Sequence, residues 1–241
     1  MPADETAAIA RHLRELDRLG EDLAVLDREI AQGAVDDPAV KRLLTVSGIN
    51  LTAAVGLVAA IGDVSRFASP QKLASYVGLN PRVRQSGLGL AQYGRISKQG
   101  RAHARAMLVE AAWTAAKTPG PLRAFFLRIR ARRGHQVAAV AVARKLAVVC
   151  WHLLSKNADY HWARPALLAH KVRAMELQAG LPEKKGNKRG PAYAYNVKEL
   201  RDREIEVARH AERAYERFVT GWQPRVTRTT RRTGAAIEER R

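Results

Sequence analysis

Leu43-Leu44-Thr45-Val46-Ser47-Gly48-Ile49-Asn50-Leu51 joins two apolar runs, and its reading sets the fold. A short helix ending near Leu43 to Val46 meets a glycine turn at Ser47-Gly48-Ile49-Asn50. A small-residue helix follows from Leu51 to Ile61, and Gly62 closes it. Ala53, Ala54, Gly56, Ala59 and Ala60 let the two helices pack closely. Helix, glycine turn and Ala-rich helix together are the pattern of a helix-hairpin-helix nucleic-acid module. There, Gly48 allows a tight turn that brings the amides around Gly48, Ile49 and Asn50 near a phosphate. The N-terminus of the second helix adds its dipole and free N–H groups. An ordinary αα-hairpin with a glycine turn has the same pattern, and this segment leaves both readings open.

Upstream, residues 5–32 read as one long helix. Ile9, Leu16, Leu23 and Ile30 recur every seven residues, with Leu19 and Leu26 three positions after two of them. This is the a/d seam of a coiled coil, although His12 occupies one d position. The expectation is a homo-oligomer joined through residues 5–32; the other reading is an amphipathic helix packed on its own domain. Gly33 and Asp36-Asp37-Pro38 stop this helix and start the next. Downstream, Ser69 as N-cap and Pro70 at the first helical position open a helix through Tyr76. Further helices are expected at about 99–117, 121–133, 136–156, 163–179 and 196–219, with one ribbon within 82–96. The fold class is therefore mainly α. Three parts are expected: a coiled-coil helix (1–36), a helix-hairpin-helix-like domain (37–180) and a basic tail (181–241). The tail would open with the linker 183–191 and end in about twenty disordered residues.

Forty-two Lys and Arg against 23 Asp and Glu leave a net charge of +19 over 241 residues. The excess is local: residues 64–175 hold 20 basic side chains but only two acids, Glu110 and Asp159. Uncompensated charge at that density repels itself unless a polyanion neutralises part of it, so DNA or RNA is the expected partner. The single cysteine, Cys150, excludes a disulfide framework and suits a reducing, cytoplasmic setting. Acidic Asp4 and Glu5 without a following apolar core lead to the expectation of no secretory signal. The longest apolar run, Val137 to Leu154, is interrupted by Arg144 and Lys145, which argues against a membrane span.

Pro81-Arg82-Val83-Arg84-Gln85-Ser86-Gly87 stands within the basic segment, with Arg95, Lys98, Arg101 and Arg105 following. A serine that transfers a phosphoryl group needs such cations to bind the phosphate and stabilise charge on its oxygens. A turn serine in a phosphate-binding loop without catalysis fits the same residues. His103 is the histidine nearest in sequence that could act as base. No Cys/His set has zinc-ligand spacing, and the glycine fingerprints of nucleotide-binding loops are absent. His152, beside Trp151 on an apolar helix, reads as a core or boundary residue, and Trp113, Phe125, Phe126 and Trp151 read as core.

From Leu44 to about Leu154 the chain resembles the C-terminal transposase domain of the insertion-sequence 110 family. The matching stretches are Val46-Ser47-Gly48-Ile49 with its Ala-rich helix, Ile61-Gly62-Asp63-Val64-Ser65-Arg66-Phe67 and Lys72-Leu73-Ala74-Ser75-Tyr76-Val77-Gly78-Leu79-Asn80-Pro81-Arg82. They continue with Gln85-Ser86-Gly87 and Gly94-Arg95-Ile96-Ser97-Lys98-Gln99-Gly100. The resemblance implies that Ser86 is the catalytic serine, that a guide RNA takes part, and that the leading helix dimerises. Where relatives usually read Pro-Gly-Ile/Val-Gly, this turn reads Ser47-Gly48-Ile49-Asn50. The family's ribonuclease-H-like half, with four metal-binding acids, has no counterpart in this sequence. A truncated reading frame, a misplaced start and a domesticated remnant are the three explanations. No metal ligand or cofactor is thus expected in this chain, and Mg²⁺ only with an acid-bearing partner domain. The expected function is the C-terminal region of a DNA transposase or site-specific recombinase. Its rival is a non-catalytic nucleic-acid-binding or inhibitory protein that dimerises with a full-length transposase.

Overall fold

The computed structural model describes residues 3–87, 91–182 and 190–221. Ten helices and one two-stranded ribbon are present among them: α1 (Ala3–Ala34), α2 (Pro38–Leu44), α3 (Leu51–Ile61), α4 (Pro70–Tyr76), β1 (Pro81–Arg84), β2 (Gln92–Ile96), α5 (Ala102–Lys117), α6 (Pro121–Arg133), α7 (His135–Lys156), α8 (Pro165–Gln178), α9 (Pro191–Tyr195) and α10 (Lys198–Thr220). The fold is mainly α, as expected. The run 183–189 and residues 222–241, read as linker and tail, lie outside the described residues.

Local chemistry sets the boundaries. Asp37 accepts from the amides of Ala39 and Val40 at 2.7 and 3.4 Å, with Pro38 opening α2 behind it. Asn50 caps α3 by accepting from Ala53 N–H at 2.9 Å. Asn157 turns left-handed and ends α7. Two expectations need correction. Ser69 holds the N-cap position of α4 in extended backbone, but its side chain makes no capping bond. Gly190-Pro191, read as the end of a linker, instead opens α9.

The core is built around α7, which packs on α2, α4, α5 and α6. Ala138, Ala139, Val142, Ala143, Leu146, Ala147 and Cys150 are buried on it, facing Ala104, Leu108, Ala111, Ala112 and Ala115 of α5. Small residues on both helices allow close backbone approach, and each buried leucine at such a contact stabilises by about 1.5–3 kcal/mol. The helix α7 is long and apolar enough to cross a bilayer, yet it is the helix at the centre of this core. Trp113, Phe125 and Trp151 pack against the core, and Phe126 is buried in it. His152 is exposed rather than core, because its position on α7 faces away from the neighbouring helices.

Two elements lie outside that packing pattern. Ala31 and Ala34, at the end of α1, are buried, while Ile9, Leu13, Leu16, Leu19, Leu23 and Leu26 are all exposed. The stripe is therefore not packed on its own domain. At the other end, α10 docks on α6 and α8. There Glu204, 2% exposed, accepts from the guanidinium of Arg164, from Arg201 Nη1 at 3.0 Å and from Leu167 N–H at 3.1 Å. One carboxylate thus pairs two arginines and satisfies a free amide at the start of α8.

Candidate nucleic-acid interface

The ribbon grows from a stitched base. Gly100 turns at φ +110° beneath the carbonyl of Tyr76, where a Cβ would lie 2.0 Å from the oxygen; only glycine fits. This approach lets Arg101 N–H donate to Tyr76 O at 3.0 Å and Lys98 N–H to Gly78 O at 3.1 Å. Ser97 N–H donates to Asn80 O at 2.8 Å, and Ser97 Oγ donates to Asn80 Oδ1 at 3.0 Å. Arg105 Nη1 reaches under the crossing to the carbonyls of Val77 and Lys98, at 3.0 and 3.1 Å. The chains entering and leaving the ribbon are thereby locked to α4 and α5.

Above this base β1 and β2 pair antiparallel, Pro81 with Ile96, Val83 with Tyr93 and Arg84 with Gln92. The irregularity between Pro81 and Val83 leaves Gly94 and Arg95 opposite Arg82. Period-two alternation sets Arg82 and Arg84 on one face and Val83 on the other. Arg82, Arg84 and Arg95 are exposed, as are Lys98 and Arg101 at the foot. Arg82 Nη2 reaches back to Ser97 O at 3.4 Å. Ser86 is exposed two residues beyond the end of β1, in the loop between the strands. The sequence-named residues Arg82, Arg84, Ser86, Arg95, Lys98 and Arg101 therefore share one projecting arm and its foot.

The α2–α3 turn is arranged differently from an open phosphate loop. Gly48 turns at φ +100°, and a Cβ there would lie 2.3 Å from Ala111 O on α5. Ile49 is fully buried, and its N–H is donated to Val46 O at 3.2 Å. These two residues hold the turn against the body, so Ile49 offers neither side chain nor amide to a phosphate. Asn50 remains exposed, its side chain engaged in capping α3. Beneath the turn, Lys171 Nζ donates to the carbonyls of Leu44, Val46 and Ile49 at 2.8, 2.9 and 2.8 Å. Burial pushes this ammonium down to about 8. Lys171 escaped the sequence reading because its partners lie more than a hundred residues away, and a lone lysine on α8 carries no local signal.

Residues 40–127, which span the α2–α3 turn, the ribbon and α5, match the family model described as Transposase IS116/IS110/IS902 family. Residues 40–127 belong to that transposase family. The chain is 34% identical over 168 residues to a "Probable family 20 transposase" of Pseudomonas aeruginosa, covering 66% of this chain and 49% of that protein. It is 31% identical over 132 residues to the "Insertion element IS116 uncharacterized 44.8 kDa protein" of Streptomyces clavuligerus, covering 53% and 32%. A "Pilin gene-inverting protein" of Moraxella bovis is 30% identical over 120 residues, covering 49% and 37%. The chain thus spans between about a third and a half of these relatives.

The transposase-family segment contains every site residue named from sequence, with Ser86 and its arginines on the surface. Arg105 is the member whose guanidinium serves the scaffold, through its two carbonyl bonds. Glu110 lies on α5 beside His103 in a cleft of about 390 Å³ that Asn50 and Thr52 also line. Among the described residues no three His, Cys, Asp or Glu side chains converge as a metal-binding group. Cys150 is fully buried, and burial pushes its thiol up to about 12, far from a nucleophile's range.

Proposed function

We propose that this chain supplies the strand-binding, serine-bearing region of a DNA transposase or site-specific recombinase. One observation carries the reading: within the family-matched segment, an exposed ribbon carries Arg82, Arg84 and Arg95 and presents Ser86 just beyond β1. Basic side chains on such an arm hold backbone phosphates, with an affinity that falls steeply with salt. In the proposed step Ser86 Oγ gives up its proton and bonds to phosphorus. The P–O bond to the leaving strand breaks, and that strand's oxygen takes a proton. Attack by another strand's hydroxyl reverses the exchange and frees the serine. The cationic arm stabilises the charge on the phosphoryl oxygens throughout. Acids supplied by a partner domain complete the site, and a guide RNA is the proposed second polyanion. The exposed a/d stripe of α1 pairs with a second copy of this helix.

A second reading rests on the same α1 stripe and on the paucity of acids around the ribbon. It makes the chain a non-catalytic nucleic-acid binder that pairs with a longer relative. A strand-transfer assay separates the two. The purified chain is expected to bind DNA without nicking or joining it, and to gain activity when an acid-bearing relative lacking its own serine is added. That gain must vanish in Ser86→Ala. Activity that survives Ser86→Ala, or inhibition of an intact relative with no gain, contradicts the first reading.

A further inference from the structure

Arg66 and Arg101 come from different parts of the chain and meet on one phenol. Arg66 ends the short 3-10 turn Val64–Arg66, and its guanidinium carbon stands 4.7 Å from the Phe67 ring centre and 4.7 Å from that of Tyr76. Arg101, at the N-cap of α5, donates Nε–H to Tyr76 Oη at 2.8 Å. The phenol in turn donates to Ala60 O at 3.2 Å, so its rotation is fixed.

The scaffold beneath is rigid. The Phe67 and Tyr76 rings sit 5.2 Å apart, and Trp151 Nε1–H donates to Phe67 O at 2.9 Å, tying the turn to the core helix. Gly100 beneath the Tyr76 carbonyl fixes Arg101 from the other side.

Two exposed guanidiniums held on one side chain repel each other, and no carboxylate pairs with either among the described residues. Asp63, three residues before Arg66, spends its hydrogen bonds on Ser65, accepting from its N–H and Oγ–H at 2.8 and 2.6 Å. The hydrogen bond from Arg101, with a smaller contribution from Arg66, holds the Tyr76 phenol below its ordinary range. Two guanidiniums there face one nearby carboxylate, Asp63, which feels Arg66 electrostatically without forming an ion pair, so a net positive potential remains. Stacking on the rings uses the face of Arg66, and the N–H groups not turned to the Tyr76 phenol are left for an acceptor. A tetrahedral oxyanion is the ligand that satisfies two such forks together.

We propose that Arg66 and Arg101, positioned by Tyr76, clamp a single backbone phosphate of bound nucleic acid at the foot of the ribbon. The clamp rests on the nucleic-acid reading above but is separable from it. It adds Arg66, which lies outside the ribbon, and makes Tyr76 a positioning residue for Arg101.

Anisotropy titrations of the full chain against a labelled DNA duplex and a labelled RNA hairpin, over a series of KCl concentrations, test it. Arg66→Gln and Arg101→Gln each flatten the salt slope. The double variant flattens it by about one unit in total, because both arginines address one phosphate. Tyr76→Phe keeps the ring under Arg66 but releases Arg101, and lowers affinity with its melting temperature close to wild type. Arg66→Lys keeps the charge and so keeps the slope, while losing affinity with the stacked fork. Flattening on DNA, on RNA or on both supports the clamp and identifies its polymer. Wild-type binding with unchanged variant slopes overturns the clamp alone, and a loss of two units in the double variant overturns the single-phosphate form. Absence of salt-sensitive binding by the wild type overturns the nucleic-acid reading and the clamp with it.

Discussion

Lys171 carries an ammonium into the body of the protein to meet three carbonyls of the α2–α3 turn. Lys171→Met leaves those acceptors without their donor and is expected to cost about 2–4 kcal/mol of stability, read as a lower melting temperature. Its folded value of about 8 lies below the 10.5 of an unperturbed lysine. Between those two values the unfolded chain binds more protons than the folded one, so stability from this group rises with pH across that window. Melts of wild type and Lys171→Met from pH 8 upward check this: the wild type gains relative to the variant, and parallel curves would refute it. Gly48→Ala is the steric counterpart. Its Cβ would collide with Ala111 O at a positive φ, and a loss of about 2–4 kcal/mol is expected in the same melts. Gly48 was legible in sequence as a turn residue. Its packing role was not, because the atom it must avoid lies on α5.

Along the elements, boundaries were the most readable feature. Leu51–Ile61 begins at an asparagine cap and ends at Gly62, and Pro121–Arg133 lies between a Gly-Pro start and a glycine stop. Such signals act within a few residues, so sequence carries them. Glu204 was silent for the opposite reason: Arg164 and Leu167, its partners across the α8–α10 contact, are 40 and 37 residues away. Removing its charge by Glu204→Leu leaves Arg164 and Arg201 uncompensated. Hydrogen exchange is then expected to accelerate along α10 well before the core helices, and uniform exchange would show that the latch is dispensable. For α1 the heptad spacing was legible, and the structure adds that its stripe faces outward. Leu16 and Leu23 are 63% and 60% exposed, so the Leu16→Asp, Leu23→Asp double variant should fold normally. Sedimentation should find it a monomer where wild type is a dimer; equal masses would remove the coiled-coil proposal.

Across the whole molecule, charge and shape point the same way. The segment 64–175, with 20 basic side chains and two acids, includes the ribbon, its foot and the Arg66–Tyr76–Arg101 cluster. The projecting arm was legible only as an irregular stretch with a ribbon inside it, because its strands are short and exposed and show no hydrophobic alternation. The nearness of Ser86 to cations was legible because Arg82 and Arg84 precede it by four and two residues, at the end of β1. The proposed bond between Ser86 Oγ and a DNA phosphate is open to adduct trapping. The chain, an acid-bearing relative without a serine of its own, and labelled DNA are incubated, denatured and digested, and the DNA-linked peptide is sequenced by mass spectrometry. A denaturation-resistant adduct is expected on the peptide containing Ser86, absent in Ser86→Ala. Strand transfer with no such adduct, or an adduct on any other residue, would contradict it.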